Sequence, residues 1–240
     1  MELGKARTPE GMRLYAIGDV HGMDDMLAEA HAKIAADMAE RPDVDHRIIH
    51  VGDYVDRGPD SAGVIDRLAR LTEADPRVVC LMGNHDELMA GFLSEPMLSG
   101  PNWLANNGAT TLATYGIDVP DGLNFADLTA LAARLAAAMP AHHAAFLDGL
   151  PRSVQFGDFF FCHAGIRPGV ALDRQDPKDL VWIREPFLSS ERDHGAVIVH
   201  GHTPGPAPVV RPNRIDIDSG AVFGGPMTVL ALDGTEHRFL

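Results

Sequence analysis

Five short apolar runs in this 240-residue chain each stop at an Asp, Asn or His beside a glycine. Leu14–Gly18 runs into Gly18-Asp-Val-His-Gly22, Ile48–Val51 into Gly52-Asp-Tyr-Val-Asp-Arg-Gly58, and Val78–Met82 into Gly83-Asn-His-Asp86. Phe159–Cys162 leads to His163-Ala-Gly165, and Val197–Val199 leads to His200-Gly-His-Thr-Pro204. A hydrophobic strand that ends on a polar residue and turns at once on glycine presents that residue at a sheet edge. Five such ends can converge. Asp, Asn and His are oxygen and imidazole donors, so the pattern predicts one metal-centred site.

The segments between these stops decide the fold class. Leu27, Ala30, Ile34 and Met38 recur at helical spacing and Pro42 closes that helix. Asp60 or Ser61 can cap a second helix with the stripe Val64, Ile65, Leu68 and Leu71. Strand, loop and helix in succession predict an α/β sheet with its polar residues at the strands' carboxyl ends. Residues 87–150 carry no strand stop and hold an Ala-rich helix from about 125 to 138, so they read as a mainly helical insertion over the site. From residue 153 the pattern turns to strands, among them Phe159–Cys162, Val197–Val199, Val209–Val210, Ile215–Ile217 and Met227–Leu232, with a last one to Leu240. Residues 1–11 read as a loose leader, and residues 1–240 as a single domain.

Charge and cysteine usage bound the partners. Net charge is −14, from 20 basic and 34 acidic residues, which opposes non-specific binding to nucleic acid. Only two cysteines, Cys80 and Cys162, are present and both lie in apolar runs, so no disulfide framework is expected and the chain reads as cytoplasmic. No run approaches the ~18 apolar residues of a membrane span, so no membrane partner is expected.

The ordered set DxH, GDxxDRG, GNHD, HAG and GHTP resembles the calcineurin-like metallophosphoesterases. More narrowly, the first three motifs resemble the phosphoprotein phosphatases, the metal-dependent serine/threonine phosphatases, including their bacterial and phage members. The resemblance spans about residues 13–225. It implies two mixed β-sheets packed as a sandwich and flanked by helices (α/β/β/α). It also implies two divalent metal ions, with Mn2+ first and Fe or Zn2+ as alternatives. Asp19 and His21 would bind the first ion, Asp53 would bridge both, and Asn84, His163 and His202 would complete the second. A hydroxide bridging the ions would attack phosphorus in line. His85 would protonate the leaving oxygen with Asp56 as its partner, and Arg57, Arg184 and Asn84 would contact phosphate. Arg184 sits in Trp182-Ile-Arg184, which resembles the Trp-x-Arg of bacterial members. Asp218 would orient a ligand histidine. Tyr54 reads as packing, His200 as a core residue or a support for ligands, and His142 and His143 as solvent-facing.

Two substrate classes remain open. Symmetrical diadenosine tetraphosphate hydrolases share several of these motifs but typically carry a small residue where this chain has Asp56. The acid therefore favours phosphomonoesters on phosphoserine or phosphothreonine proteins and peptides, with phosphotyrosine also open. The segment Trp103–Tyr115, however, resembles a bacterial group that straddles both activities. A binding module that has lost catalysis would need a broken motif, and none is broken.

Overall fold

The computed structural model describes residues 3–120, 122 and 124–240. Three parallel strands open the chain: β1 (Met12–Ile17), β2 (Asp45–His50) and β3 (Val78–Cys80). Between them run α1 (Asp24–Ala39) and α2 (Ser61–Ala74). Asp60 caps α2, its Oδ1 accepting from the Gly63 N–H at 2.8 Å.

Five helices follow in succession: α3 (Asn84–Ser94), α4 (Pro96–Ala105), α5 (Gly108–Thr114), α6 (Phe125–Ala138) and α7 (Ala141–Asp148). The helical segment therefore begins three residues before the expected position 87, inside the Gly83-Asn-His-Asp86 motif. A second set of strands comes next: β4 (Ser153–Phe156), β5 (Phe159–Cys162), β6 (Val197–His200), β7 (Val209–Arg211) and β8 (Arg214–Asp216). The short helix α8 (Pro177–Trp182) lies between β5 and β6, and β9 (Val229–Asp233) and β10 (Glu236–Phe239) end the chain.

These strands form two mixed five-stranded sheets, ordered β10-β9-β1-β2-β3 and β4-β5-β6-β8-β7. Side-chain alternation explains why they pack face to face. Leu14 and Ala16 of β1 join Phe159 and Phe161 of β5 in the core between the sheets, while Tyr15 and Ile17 face the helices. Phe160 and Cys162 point the other way, into a smaller core with Leu180 and Phe187. Each sheet contributes three parallel strands, so β1, β2, β3, β5, β6 and β8 bring their carboxyl ends to one edge. Both cysteines are buried and unpaired. Among the described residues no helix is long and apolar enough to cross a membrane.

The leader is not loose from residue 3 onward. Leu3 is buried in the inter-sheet core, the Arg7 N–H donates to Asp158, and Thr8 exchanges hydrogen bonds with Gly234. Backbone pairing, which leaves no apolar periodicity to read, is what ties it down.

Candidate active site

Asp53 lies at the centre of the strand-end cluster. Its Oδ2 is 3.4 Å from His21 Nε2 and its Oδ1 is 3.4 Å from His163 Nε2, so one carboxylate carries an imidazole off each oxygen. The other ring nitrogens are held by the sheet edge. His21 Nδ1–H donates to the Val55 carbonyl at 2.8 Å and His163 Nδ1–H to that of Val51 at 3.1 Å. Both Nε2 lone pairs then point at Asp53, the tautomer that metal-binding histidines commonly adopt.

A second focus lies at Asn84. Its Oδ1 is 2.9 Å from His163 Nε2 and 2.8 Å from His202 Nδ1. With Nδ1–H of His163 already committed to Val51, His163 Nε2 and Asn84 Oδ1 face each other as two acceptors. A cation between them satisfies both. Separations of 2.8–3.4 Å are those of neighbouring donors around an ion with bonds of ~2.1 Å. The buried Nε2 of His202 has no hydrogen-bond partner. Two potential metal-holding groups, His21–Asp53–His85 and Asp53–His163–His202, share Asp53, and the donor set fits a dinuclear centre. Asp19, at the end of β1, receives the His202 backbone N–H at 3.1 Å.

The electrostatics fit the same reading. Burial pushes the Asp19 carboxyl well above its ordinary range, and the charges of Asp218 and Asp53 push it the same way. Burial opposes ionisation of Asp53, yet His163, His85 and His21 hold it below the usual carboxylate range. Burial lowers His21 to about 3, leaving a neutral imidazole available as a donor.

His85 is wired differently from the other imidazoles. Its Nδ1 is 2.7 Å from Asp56 Oδ2 and its Nε2 is 2.9 Å from an Arg57 nitrogen. Burial works against a charged His85, but the Asp53 charge and the Asp56 hydrogen bond raise its pKa above the ordinary histidine value. Asp56 is fully buried and receives Thr111 Oγ1–H at 2.7 Å and Trp103 Nε1–H at 3.1 Å. These two donors come from α5 and α4. Trp103–Tyr115 was singled out in the sequence for its resemblance alone, and nothing there assigned Trp103 or Thr111 to Asp56.

The remaining expected residues fall at two distances. Arg57 reaches His21 Nε2 at 2.5 Å with one nitrogen and His85 with the other, and its guanidinium lies 5.5 Å from the ring centre of Phe223. Arg184 is exposed at the rim, its Nη2 3.4 Å from the His202 carbonyl oxygen. Next to it opens a cleft of about 730 Å3, lined by Arg167, Arg174, Lys178, Trp182 and Arg184 together with three acidic residues. Tyr54 is buried and donates to the Leu81 carbonyl at 2.7 Å. His200 is buried against Phe187 and reaches the Gly201 carbonyl, so it is a core residue.

Two expectations change, and one residue gains a role. Asp218 accepts from the Gly220 N–H and lies beside Asp19, so its neighbour is a carboxylate and not a histidine. His143 is buried against Tyr115 and Asp66, because α7 packs on α2. Asp86 had no role in the sequence reading, yet its carboxylate receives the backbone N–H groups of Asp53, Tyr54 and Gly83 and thereby holds two motif loops together.

Local backbone conformation marks the same residues. Six described non-glycine residues have positive φ, and five of them are His21, Asp53, Asp56, Arg57 and His202. Such conformations cost ~1–3 kcal/mol each and persist where surrounding structure enforces them. A Cβ at Gly83 would collide with the Asp53 backbone nitrogen and Oδ1.

Strand-end carboxylates and imidazoles shared around one Asp, beside a forked guanidinium, define a metal-dependent phosphoesterase class of site. Residues 12–228 match the calcineurin-like phosphoesterase family, and the chain belongs to it. It is 30% identical over 235 residues to the asymmetrical bis(5'-nucleosyl)-tetraphosphatase PrpE of Anoxybacillus flavithermus, covering 89% of this chain and 88% of that protein. The PrpE of Bacillus cereus is 28% identical, with 91% and 90% covered. Among solved structures, a candidate diadenosine tetraphosphatase superposes with a TM-score of 0.68 at 20% identity, over 98% of this chain and 97% of that one. A cold-active protein tyrosine phosphatase gives 0.59 at 15% identity, over 98% and 81%.

Proposed function

We propose that this chain is a dinuclear metal-dependent phosphoesterase that cleaves dinucleoside polyphosphates unequally, a tetraphosphate giving a nucleoside triphosphate and a monophosphate. The observation that carries this reading is the length of the functional surface. It runs from the exposed ring of Phe223, under Arg57, across the Asp53 centre and past Arg184 into the cleft of about 730 Å3. An aromatic face at one end suits a nucleobase, and the guanidinium groups of Arg57 and Arg184 along the surface suit a chain of phosphates. The names of the PrpE relatives support the same substrate class. The Asp56 criterion separates phosphatases from symmetrical hydrolases only, so it does not weigh against unequal cleavage.

In this reading Asp19, His21, Asp53, Asn84, His163 and His202 hold two divalent ions, Mn2+ being the first choice. Bound there, the ions supply Lewis acidity and a water activated for attack on phosphorus. Arg57 and Arg184 grip non-bridging phosphate oxygens, with Asn84 as a further phosphate contact. His85, its pKa raised by the Asp53 charge and the Asp56 hydrogen bond, is placed to protonate the departing oxygen through Nε2 once Arg57 turns to the phosphate.

A second reading rests on that same pair. A phosphate leaving group with a pKa of about 6 departs without a proton, whereas a serine alkoxide needs one. A buried support of three residues, Asp56, Thr111 and Trp103, for one proton donor therefore favours phosphomonoesters on proteins or peptides as a further substrate. Metal-stripped protein reloaded with Mn2+ tests both. Unequal products from diadenosine tetraphosphate, formed faster than phosphate from phosphoserine, phosphothreonine or phosphotyrosine peptides, support the first reading. Two diphosphates, or faster turnover of a peptide, overturn it.

A further inference from the structure

A second cluster of metal-type donors lies outside this site, where α7 packs on α2. His142 Nε2 is 2.8 Å from Asp66 Oδ1, and His143 Nε2 is 3.3 Å from the same oxygen. All three donor atoms lie within 4.8 Å of one another. The two rings meet edge to face, their centres 4.4 Å apart.

The hydrogen bonding at Asp66 Oδ1 is overloaded. Besides the two imidazole nitrogens it receives Arg70 Nη2 at 3.1 Å, three nitrogens around an oxygen with two lone pairs. His143 can have its tautomer chosen from behind. Its Nδ1 is 2.9 Å from the Tyr115 hydroxyl, so an Nδ1–H donated there leaves Nε2 with a free lone pair toward Asp66. Burial also lowers the His143 pKa, which favours the neutral, metal-binding form of the ring. The 3.3 Å approach of His143 equals the ~3.3 Å edge of a tetrahedron with 2.0–2.1 Å bonds, and the 2.8 Å approach of His142, an exposed side chain free to move, would open to admit the ion.

We propose that Asp66, His142 and His143 form a separate binding site for a divalent cation of the Zn2+ type. Two imidazoles and one carboxylate favour such an ion over Mg2+ or Mn2+, which prefer oxygen shells. Arg70 does not close the site: its pairing with Asp66 is an i,i+4 surface pair with the guanidinium 68% exposed, which contributes little and gives way readily. His142 and Asp66 are each 39% exposed, which leaves room for water as the fourth ligand. The ion would fasten α7 to α2. The Oγ of Ser61, the first residue of α2, accepts the Asp56 N–H at 3.1 Å, so the clamp braces the element that supports the His85–Asp56 pair.

The test compares wild type with His142→Ala and with the double variant His142→Ala/His143→Ala. Each protein is loaded with Mn2+, dialysed against Zn2+ and assayed for bound metal, and Co2+ loading gives a visible spectrum. Wild type should bind one more Zn2+ per chain than the double variant, and should show a tetrahedral Co2+ band that this variant lacks. His142→Ala, altered at a half-exposed residue, should weaken that Zn2+ by about tenfold or more. Its turnover with Mn2+ should match wild type. Equal Zn2+ stoichiometry and identical Co2+ spectra across the series would overturn the proposal. Neither readout depends on which phosphoester the enzyme hydrolyses.

Discussion

Replacing His85 by Asn separates proton donation from the rest of the site. The wild-type imidazole is 2% exposed and sits 2.7 Å from a fully buried Asp56, so it is oriented before substrate arrives. General acid catalysis by a positioned side chain contributes ~10²–10⁴-fold, or ~2.7–5.4 kcal/mol at 1.36 kcal/mol per decade. That contribution matters only where the departing oxygen is a strong base. His85→Asn should therefore slow phosphate release from a phosphoserine peptide by ~10²–10⁴-fold in kcat. Hydrolysis of diadenosine tetraphosphate, whose leaving phosphate has a pKa of about 6, should fall by less than about tenfold. Trp103→Phe removes one donor to Asp56 without touching His85, and should reproduce a smaller version of the same selectivity. The assay is steady-state kinetics on both substrates with saturating Mn2+, and circular dichroism confirms the fold. An equal loss on both substrates would refute the reasoning, since His85 would then act by holding the site or the phosphate.

Phe223→Ala should raise KM for the dinucleotide by ~5–150-fold, corresponding to ~1–3 kcal/mol of base stacking, with kcat little changed. Steady-state kinetics beside a phosphoserine peptide checks it, because the peptide's KM should hardly move. Gly83→Ala should cut Mn2+ binding measured by calorimetry, since the added methyl displaces Asp53. Asp37 is a stability probe: despite burial, Arg238, Tyr15 and Arg13 hold its carboxyl below the usual range. Its stabilisation is present above the unfolded value of about 4 and is lost as pH falls through the lower folded value. Asp37→Ala should cost ~3 kcal/mol in urea unfolding at pH 7, and the gap from wild type should narrow in strong acid; a gap independent of pH would sink the assignment.

How much of this was legible depends on which forces local sequence records. The strand stops were readable because an apolar run ending on Asp, Asn or His beside glycine is a local pattern; β1, β2, β5 and β6 end within one residue of where it places them, while β3 stops at Cys80, two residues before the expected Met82. The helix α6 was found at Phe125–Ala138 for the same reason. What could not be read is what tertiary contact alone creates. Trp103 and Thr111 are 47 and 55 residues from Asp56 and look like ordinary helix residues, but the packing of α4 and α5 makes them its hydrogen-bond donors. Asp86 sits in plain view within Gly83-Asn-His-Asp86. Its carboxylate serves backbone groups 32 and 33 residues away, and no spacing rule reports that. His143 looked solvent-facing because a histidine pair after Pro140 in an Ala-rich stretch has no apolar period, yet α2 buries one of the two.

The misses share a physical cause that bears on how the site works. Strand ends can deliver Asp53 and the imidazoles, because the parallel strands share an edge. They cannot by themselves support His85, whose partner Asp56 is at 0% exposure, where burial and the Asp53 charge raise its carboxyl above the usual range. Thr111, Trp103 and His85 supply the hydrogen bonds that oppose that push. In the proposed mechanism α4 and α5 are therefore part of the proton-donating apparatus, and exchanging them should alter selectivity between strongly and weakly basic leaving groups while leaving metal affinity to the strand ends and Asn84.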